Sequence, residues 1–364
     1  MKPLSRLPRW SIVIPVATWA VVMWSMTGQP ASPGWLIQLT VIAGLIAGIL
    51  TAVFHAEVVA HRVGEPYGTL LLALSVAAIE VALIVSLMIA GGEAASGLAR
   101  DAVFASVMII LNGMVGICLL TGGRRHGEQT FGLYGVSAAL ATIAAISVLT
   151  LVLPNYTTTS PGPFYSNSQL GFIALVSLVL YGTFVMVQAV KHRDYFLPAE
   201  AAFDEAAHAP PPPKKTALAS AILLVACLGS VVLLAKILSP TLEAGVSYIG
   251  APKTLVGVLI AAVVLLPESI AAYQAARANR LQTSLNLALG SALASIGLTI
   301  PAVAAVSLAT GINLTLGIDE KSTVMLMLSL LVASLSLGTG RTTVMQGTVH
   351  LVIFAVYLFT AIVP

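Results

Sequence analysis

Residues 67–90 read YGTLLLALSVAAIEVALIVSLMIA, twenty-four positions carrying a single charge, Glu80, near the middle. A helix needs roughly 20 predominantly apolar residues to cross the hydrocarbon core of a bilayer. This run is long enough, and it does not alternate as the ~10-residue strands of a membrane barrel do. Residues 254–276, TLVGVLIAAVVLLPESIAAYQAA, repeat the plan: an apolar run with one carboxylate, Glu268, again near the centre. Each run follows a Gly-x-Pro, at Gly64 and Pro66 and at Gly250 and Pro252. The proline precedes the glutamate by 14 residues in one and 16 in the other.

Working outward, nine further runs have comparable length, so the spans fall near 10–26, 35–54, 67–90, 102–120, 132–153, 169–190, 216–238, 254–276, 283–308, 322–337 and 342–363. The first and tenth are the shortest. The whole chain of 364 residues agrees with this reading: 58% is apolar and 9% charged, against about 25% charged in soluble domains. Such a chain has too little charge to cover a water-facing surface, which excludes a soluble globular enzyme and a disordered chain. The net charge of +3 is small and scattered, which excludes a nucleic-acid binder. Cys118 and Cys227 lie in apolar runs and read as small apolar fillers, and His350 as a lone histidine that hydrogen-bonds within the packing. The basic N-terminus before the first run is expected to be a retained helix start rather than a cleaved signal peptide, because further apolar runs follow it.

Lysine and arginine give the orientation, since they concentrate on the cytoplasmic side. With the N-terminus inside, 13 of the 17 basic residues fall on inner segments. Arg100, Lys253 and Lys321 fall outside, and Lys236 lies near a helix end. Eleven crossings then leave the C-terminus outside, and the expected location is the cytoplasmic (inner) membrane. Residues 191–215, KHRDYFLPAEAAFDEAAHAPPPPKK, are polar and hold four consecutive prolines, a composition suited to a solvated, extended inner linker. The domain plan is therefore residues 1–30 (N-terminal segment and first helix), 31–190 (five helices), the 191–215 linker, and 216–364 (five helices). Five is odd, so the second half enters the membrane inverted. Inverted repeats are a transporter architecture with the substrate site near the midplane.

A carboxylate at the bilayer centre costs on the order of 2.5–3.5 kcal/mol by insertion scales. No lysine or arginine lies at comparable depth to offset Glu80 or Glu268, so the two are expected to hold a metal cation or protons in alternation. Pro267 strengthens this reading. Proline has no N–H, so the carbonyl four residues back, Val263, loses its donor, and free carbonyls at membrane depth line cavities. Ser291, Ser295 and Thr299 are spaced by four on one helix face, with Gly290 allowing close backbone approach. Ser106 and Asn112 add polar groups to the fourth run. At the end of the second run, Glu57 with His55 and His61 forms either an interfacial cap or a proton and cation relay at the cytoplasmic mouth.

Two stretches carry a resemblance. Ala56 to Ile84, AEVVAHRVGEPYGTLLLALSVAAIEVALI, is similar to the first repeat of exchangers in the cation/calcium antiporter superfamily, most of all bacterial ChaA-type calcium/proton (sodium/proton) antiporters. Pro267 to Pro301, PESIAAYQAARANRLQTSLNLALGSALASIGLTIP, resembles the second repeat, including a Gly-Ser helix start. The resemblance implies an all-α fold of one helix plus two inverted five-helix repeats. It implies that Glu80 and Glu268 are the paired cation- and proton-binding carboxylates, the metal ligands, with Gly290, Ser291 and Ser295 in the polar helix of the second repeat and Asn112 in its counterpart. It also implies exchange of calcium, or of sodium or potassium, for protons, with inorganic cations, protons and the lipid bilayer as partners and no resident cofactor. Where the family carries Gly-Asn-Ala before the first glutamate, this chain has Val76, Ala77 and Ala78. Before the second it has Leu265, Leu266 and Pro267, and Val107 and Met108 replace the Gly-Ser expected ahead of Asn112. These departures bear on calcium selectivity more than on cation antiport. A purely monovalent antiporter and a cation channel are the alternatives. The motifs of an ATP-driven pump or an intramembrane hydrolase (Walker A, Gly-x-Ser-x-Gly, HExxH) do not occur.

Overall fold

The computed structural model describes residues 7–27, 35–64, 67–196, 211–248, 250, 252 and 254–363. Pro66 and most of the expected linker, residues 197–210, lie outside the described residues. The helices are α1 (Arg9–Met26), α2 (Trp35–Val63), α3 (Tyr67–Gly91), α4 (Leu98–Met108), α5 (Val115–His126), α6 (Leu133–Ser147), α7 (Asn167–Met186), α8 (Lys214–Tyr248), α9 (Thr254–Val264), α10 (Leu266–Arg277), α11 (Leu281–Thr310), α12 (Glu320–Leu337) and α13 (Val344–Ile362). A π-helical turn, Ile109–Met114, joins α4 to α5 in one continuous span. Further π turns at Val148–Val152 and Val187–Lys191 prolong α6 and α7. Among the described residues ten helical segments are long and apolar enough to cross a membrane. The bent pair α9–α10, taken as one span, makes eleven. The chain is therefore a polytopic all-α membrane protein, and each expected run corresponds to one segment.

Several helices outrun their apolar cores. The second run was bounded at residue 54, but α2 continues to Val63 through His55, Glu57 and His61. The fourth, bounded at 102–120, becomes a span from Leu98 to His126. Polar side chains in a last turn reach the interface while the backbone keeps its internal hydrogen bonds, so polarity ended the expected span before the helix itself ends.

The chain forms two compact units, residues 1–90 with 206–250 and residues 91–205 with 251–364. In the first, α2 packs along α8, with α1 against both. Small residues permit the close approach: a Cβ on Gly48 would stand 2.9 Å from Val231 Cγ2. Polar anchors then fix the register. Thr18 donates to Ser230 Oγ at 3.1 Å, and Trp19 Nε1 donates to the Ala226 carbonyl at 2.9 Å.

In the second unit α4–α5 and α11 form the centre. Of the most apolar stretch of each span, 83% of Leu98–His126 and 67% of Leu281–Thr310 are buried, against 28% for the span begun by α7. α4 packs on α9, α5 on α13, and α11 on α7, α6 and α10. Polar ties close this unit at one end. A two-residue antiparallel ribbon pairs Gln129 with Thr342 and Thr130 with Arg341. Gln282 accepts from the Gly132 N–H, and Gln129 Nε2 donates to Asn279 Oδ1 at 2.7 Å. At the other end Arg100 bridges Asp101 (2.8 Å) and the Gly317 carbonyl (3.2 Å). Between these ends the packing is mostly apolar, with a few buried polar side chains such as Asn112, Ser329 and His350.

Candidate functional site

Glu80 lies midway along α3 in the first unit and is 4% exposed. Glu268 lies in the second unit, in the first turn of α10, where it is half-buried. The chain breaks immediately before it: α9 stops at Val264, α10 starts at Leu266, and the two axes differ by 54°. Pro267 occupies the opening turn of α10, a position where its missing N–H costs nothing within the new helix. It also leaves the Val263 carbonyl without the donor an unbroken helix would supply. The break inferred from Pro267 is thus present, centred two residues ahead of the proline.

Asn112 sits in the π turn Ile109–Met114, and this turn is packed against α10, α11, α12 and α13. The helix with Glu268, the helix with Ser295 and the turn with Asn112 therefore adjoin within one unit. A π turn adds a residue to the helical repeat, and such turns are frequent at functional sites. Asn112 is fully buried. Its Nδ2 donates to Ser329 Oγ at 2.8 Å, and its Oδ1 has no hydrogen-bond partner among the described residues.

On α11, Ser295 and Thr299 are buried and Ser291 is half-buried. The Thr299 hydroxyl has no hydrogen-bond partner among the described residues. Gly290 and Ser291 do not start a helix, because α11 begins at Leu281 and runs through them. Nor does Gly290 mark a close approach, since a Cβ built there meets nothing within 4 Å. That role falls two turns further along, at Gly297, where a Cβ would stand 2.8 Å from Tyr181 Cβ.

The three residues at the end of α2 separate. His55 is fully buried, and its Nε2 lies 2.9 Å from the Ser11 carbonyl in the first turn of α1. Phe54 beside it meets the Trp10 ring at 4.7 Å between centroids, so His55 helps dock α1. Glu57 is exposed and His61 is half-buried; four residues apart, they share a face that His55 does not. Among the described residues no three His, Cys, Asp or Glu side chains converge as a metal cluster.

His350 hydrogen-bonds within the packing as its sequence context implied, but the sequence did not identify its partner or that of Asn112. Ser329 of α12 meets Asn112, and Ser336 of α12 meets His350 of α13 at 2.7 Å. The available signal was the spacing of seven between Ser329 and Ser336, which puts them on one helix face. A cavity of about 100 Å³ opens at the Arg100 end of the second unit, lined among others by Asp101, Asp319, Lys321 and Tyr357.

Comparison with known proteins bears on this arrangement. The family described as sodium/calcium exchanger protein matches residues 33–190 and 219–363. The protein y4hA of Sinorhizobium fredii, named for ionic transport, is 50% identical over 99% of this chain and 98% of its own. The sodium-potassium/proton antiporter ChaA of Escherichia coli is 35% identical over 96% of this chain and 95% of its own. Among solved structures, native YfkE superposes with a TM-score of 0.73 at 18% identity, covering 98% of this chain and 100% of that one. The H+/Ca2+ exchanger CAX superposes at 0.70 and 16%, covering 96% and 87%. At these identities the solved structures share the fold.

Proposed function

The chain belongs to the sodium/calcium exchanger protein family, within the cation/calcium antiporter superfamily, and from that premise we propose that it exchanges sodium, potassium or calcium for protons across the inner membrane, with Glu80 and Glu268 as the carboxylates that bind cation or protons in turn. As a member of this family it is a multi-pass cation antiporter. The observation that carries the finer reading is the division of the family match: two segments, 33–190 and 219–363, each containing one glutamate in the middle of an apolar run. This division also supports reading residues 31–190 and 216–364 as two inverted repeats.

The choice of ion rests on two opposed considerations. Calcium takes 6–8 oxygen ligands, and this chain has Val76, Ala77 and Ala78 and then Leu265, Leu266 and Pro267 where resembling exchangers supply asparagines. Fewer carbonyl oxygens favour sodium or potassium, the ions named for the 35% identical relative. The second reading, calcium, is favoured by the carboxylates themselves, since one divalent ion balances two of them without a basic side chain.

The test is proton release from everted vesicles on addition of calcium, sodium or potassium in turn. The expected result is cation-driven release that is strongest with a monovalent ion and lost in both Glu80→Gln and Glu268→Gln, with insertion unchanged. Exchange at the wild-type rate in either variant overturns the carboxylate assignment. Cation flux without coupled proton movement identifies a channel.

A further inference from the structure

We infer that Ser329, on α12 and outside the motif-bearing helices, is a positioning residue that turns the side-chain oxygen of Asn112 toward the transported cation; this rests on the reading of Glu80 and Glu268 as the cation-binding carboxylates.

The argument starts from a proton count. A serine hydroxyl has one hydrogen to give and two lone pairs with which to accept. The Ser329 hydroxyl lies 2.7 Å from the Met325 carbonyl oxygen, one turn back on α12, and that carbonyl can only accept. The hydrogen of Ser329 is directed there, the Met108 sulfur at 3.5 Å being its other acceptor, and toward Asn112 its oxygen presents a lone pair. The amide group of Asn112 must then face Ser329 with its nitrogen, which it does at 2.8 Å. The other neighbour on that side is the Met108 sulfur, 3.9 Å from the same nitrogen and also a weak acceptor. Both neighbours reject the amide oxygen. Rotation by half a turn would set oxygen against oxygen.

The consequence is an oriented, unused acceptor. Oδ1 of Asn112 points away from Ser329, is buried with the whole residue at 0% exposure, and has no hydrogen-bond partner among the described residues. A buried carbonyl oxygen left unmade is costly, and such groups in native proteins call for a reason. A hard cation supplies one, because it takes amide oxygens as ligands. The placement agrees: the π turn that holds Asn112 is packed against α10, which opens with Glu268, and against α11, which carries Ser295 and Thr299. Serine at 329 thus acts at one remove, by deciding which end of the amide is offered.

The experiment compares S329T with S329V, nearly equal in shape and differing by the hydroxyl, alongside S329A, N112A, E80Q and E268Q. Proton release from everted vesicles is titrated with sodium, potassium and calcium, and insertion is checked by detergent size exclusion. S329T is expected to retain a near wild-type half-saturating concentration. S329V and S329A are expected to raise it about five- to tenfold, the loss of one oriented hydrogen bond, with the maximal rate within about twofold. N112A should raise it at least as much. A role in packing alone would lower the melting temperature and yield of S329V and leave half-saturation alone. If S329V inserts poorly, S329A carries the comparison. Equal half-saturation in S329T, S329V and S329A overturns the positioning role, and an unchanged N112A overturns the ligand role of the amide. Either result can occur with E80Q and E268Q inactive, in which case the carboxylate reading stands. Active glutamate variants overturn that reading separately.

Discussion

His350 and Ser336 meet across two helices, ring nitrogen Nε2 to hydroxyl oxygen at 2.7 Å, with the histidine fully buried between α13 and α12. The contact is local in sequence, fourteen residues apart, and it joins helices that are tied again toward the far end of the pair, where Lys321 Nζ donates to the Thr360 carbonyl at 2.8 Å. Replacing His350 by leucine leaves the Ser336 hydroxyl with its weaker alternative, the Ala333 carbonyl at 3.4 Å. The expected loss is about 1–3 kcal/mol, the range for stranding a buried polar group. It is to be read as a lower melting temperature in detergent, with the cation dependence of exchange unchanged. A melting curve identical to wild type would show that the pair contributes nothing.

Gly347 and Gly290 should respond oppositely to alanine. A Cβ on Gly347 would stand 2.8 Å from Leu120 Cα and 2.9 Å from the Gly116 carbonyl oxygen, both backbone atoms of the facing helix. Neither can rotate away, so Gly347→Ala must push α13 off α5, at about 1–3 kcal/mol. Gly290 has open space and lies mid-helix. Its replacement by alanine should leave stability unchanged or raise it by about 0.5–1 kcal/mol through reduced backbone freedom in the unfolded chain. Thermal melts of the two variants side by side check the contrast.

At the Arg100 end, the guanidinium holds Asp101 and the Gly317 carbonyl together, with side chains 21% and 16% exposed for the ion pair. Arg100→Met removes both contacts and leaves the carboxylate without its partner. Breaking a fully buried pair costs about 3–5 kcal/mol, but partial exposure reduces this to about 1–2 kcal/mol. The double variant Arg100→Met with Asp101→Asn should recover part of the loss. A double variant as unstable as the single one would place the contribution of Arg100 in its Gly317 bond alone.

The 13 to 3 division of basic residues predicts that single cysteines at Lys2 and Lys214 are labelled from the cytoplasmic side and one at Lys321 from the outside. Impermeant thiol reagent applied to intact cells checks this. Labelling of position 214 from outside would reverse the orientation of every span.

The eleven spans were legible because the bilayer demands long uninterrupted apolar runs in which the backbone satisfies itself, and nothing in the chain mimics such a run. Glu80, Glu268 and Pro267 stand out as candidates for the complementary reason: they violate the rule. The helix ends were less legible, as α2 shows by carrying His55, Glu57 and His61 inside its last turns. The π turns left no trace, since a single inserted residue in an apolar stretch changes no composition. Ser329 was invisible for a different reason. Its partner Asn112 lies 217 residues away, and serine in a membrane helix most often serves close packing. Only the geometry of the amide distinguishes it.

The break at Leu265 has an electrostatic consequence. A helix carries the aligned dipoles of its peptides, equivalent to roughly half a positive charge at its N-terminus. Interrupting the span creates such a terminus inside the chain, and Glu268 occupies the first turn that follows. The backbone itself therefore supplies positive potential at this carboxylate. Unlike a side-chain cation it cannot swing away, cannot be removed by substitution, and cannot compete for the site by occupying it. A continuous helix through the same residues would carry that potential at its distant end and leave Glu268 without it.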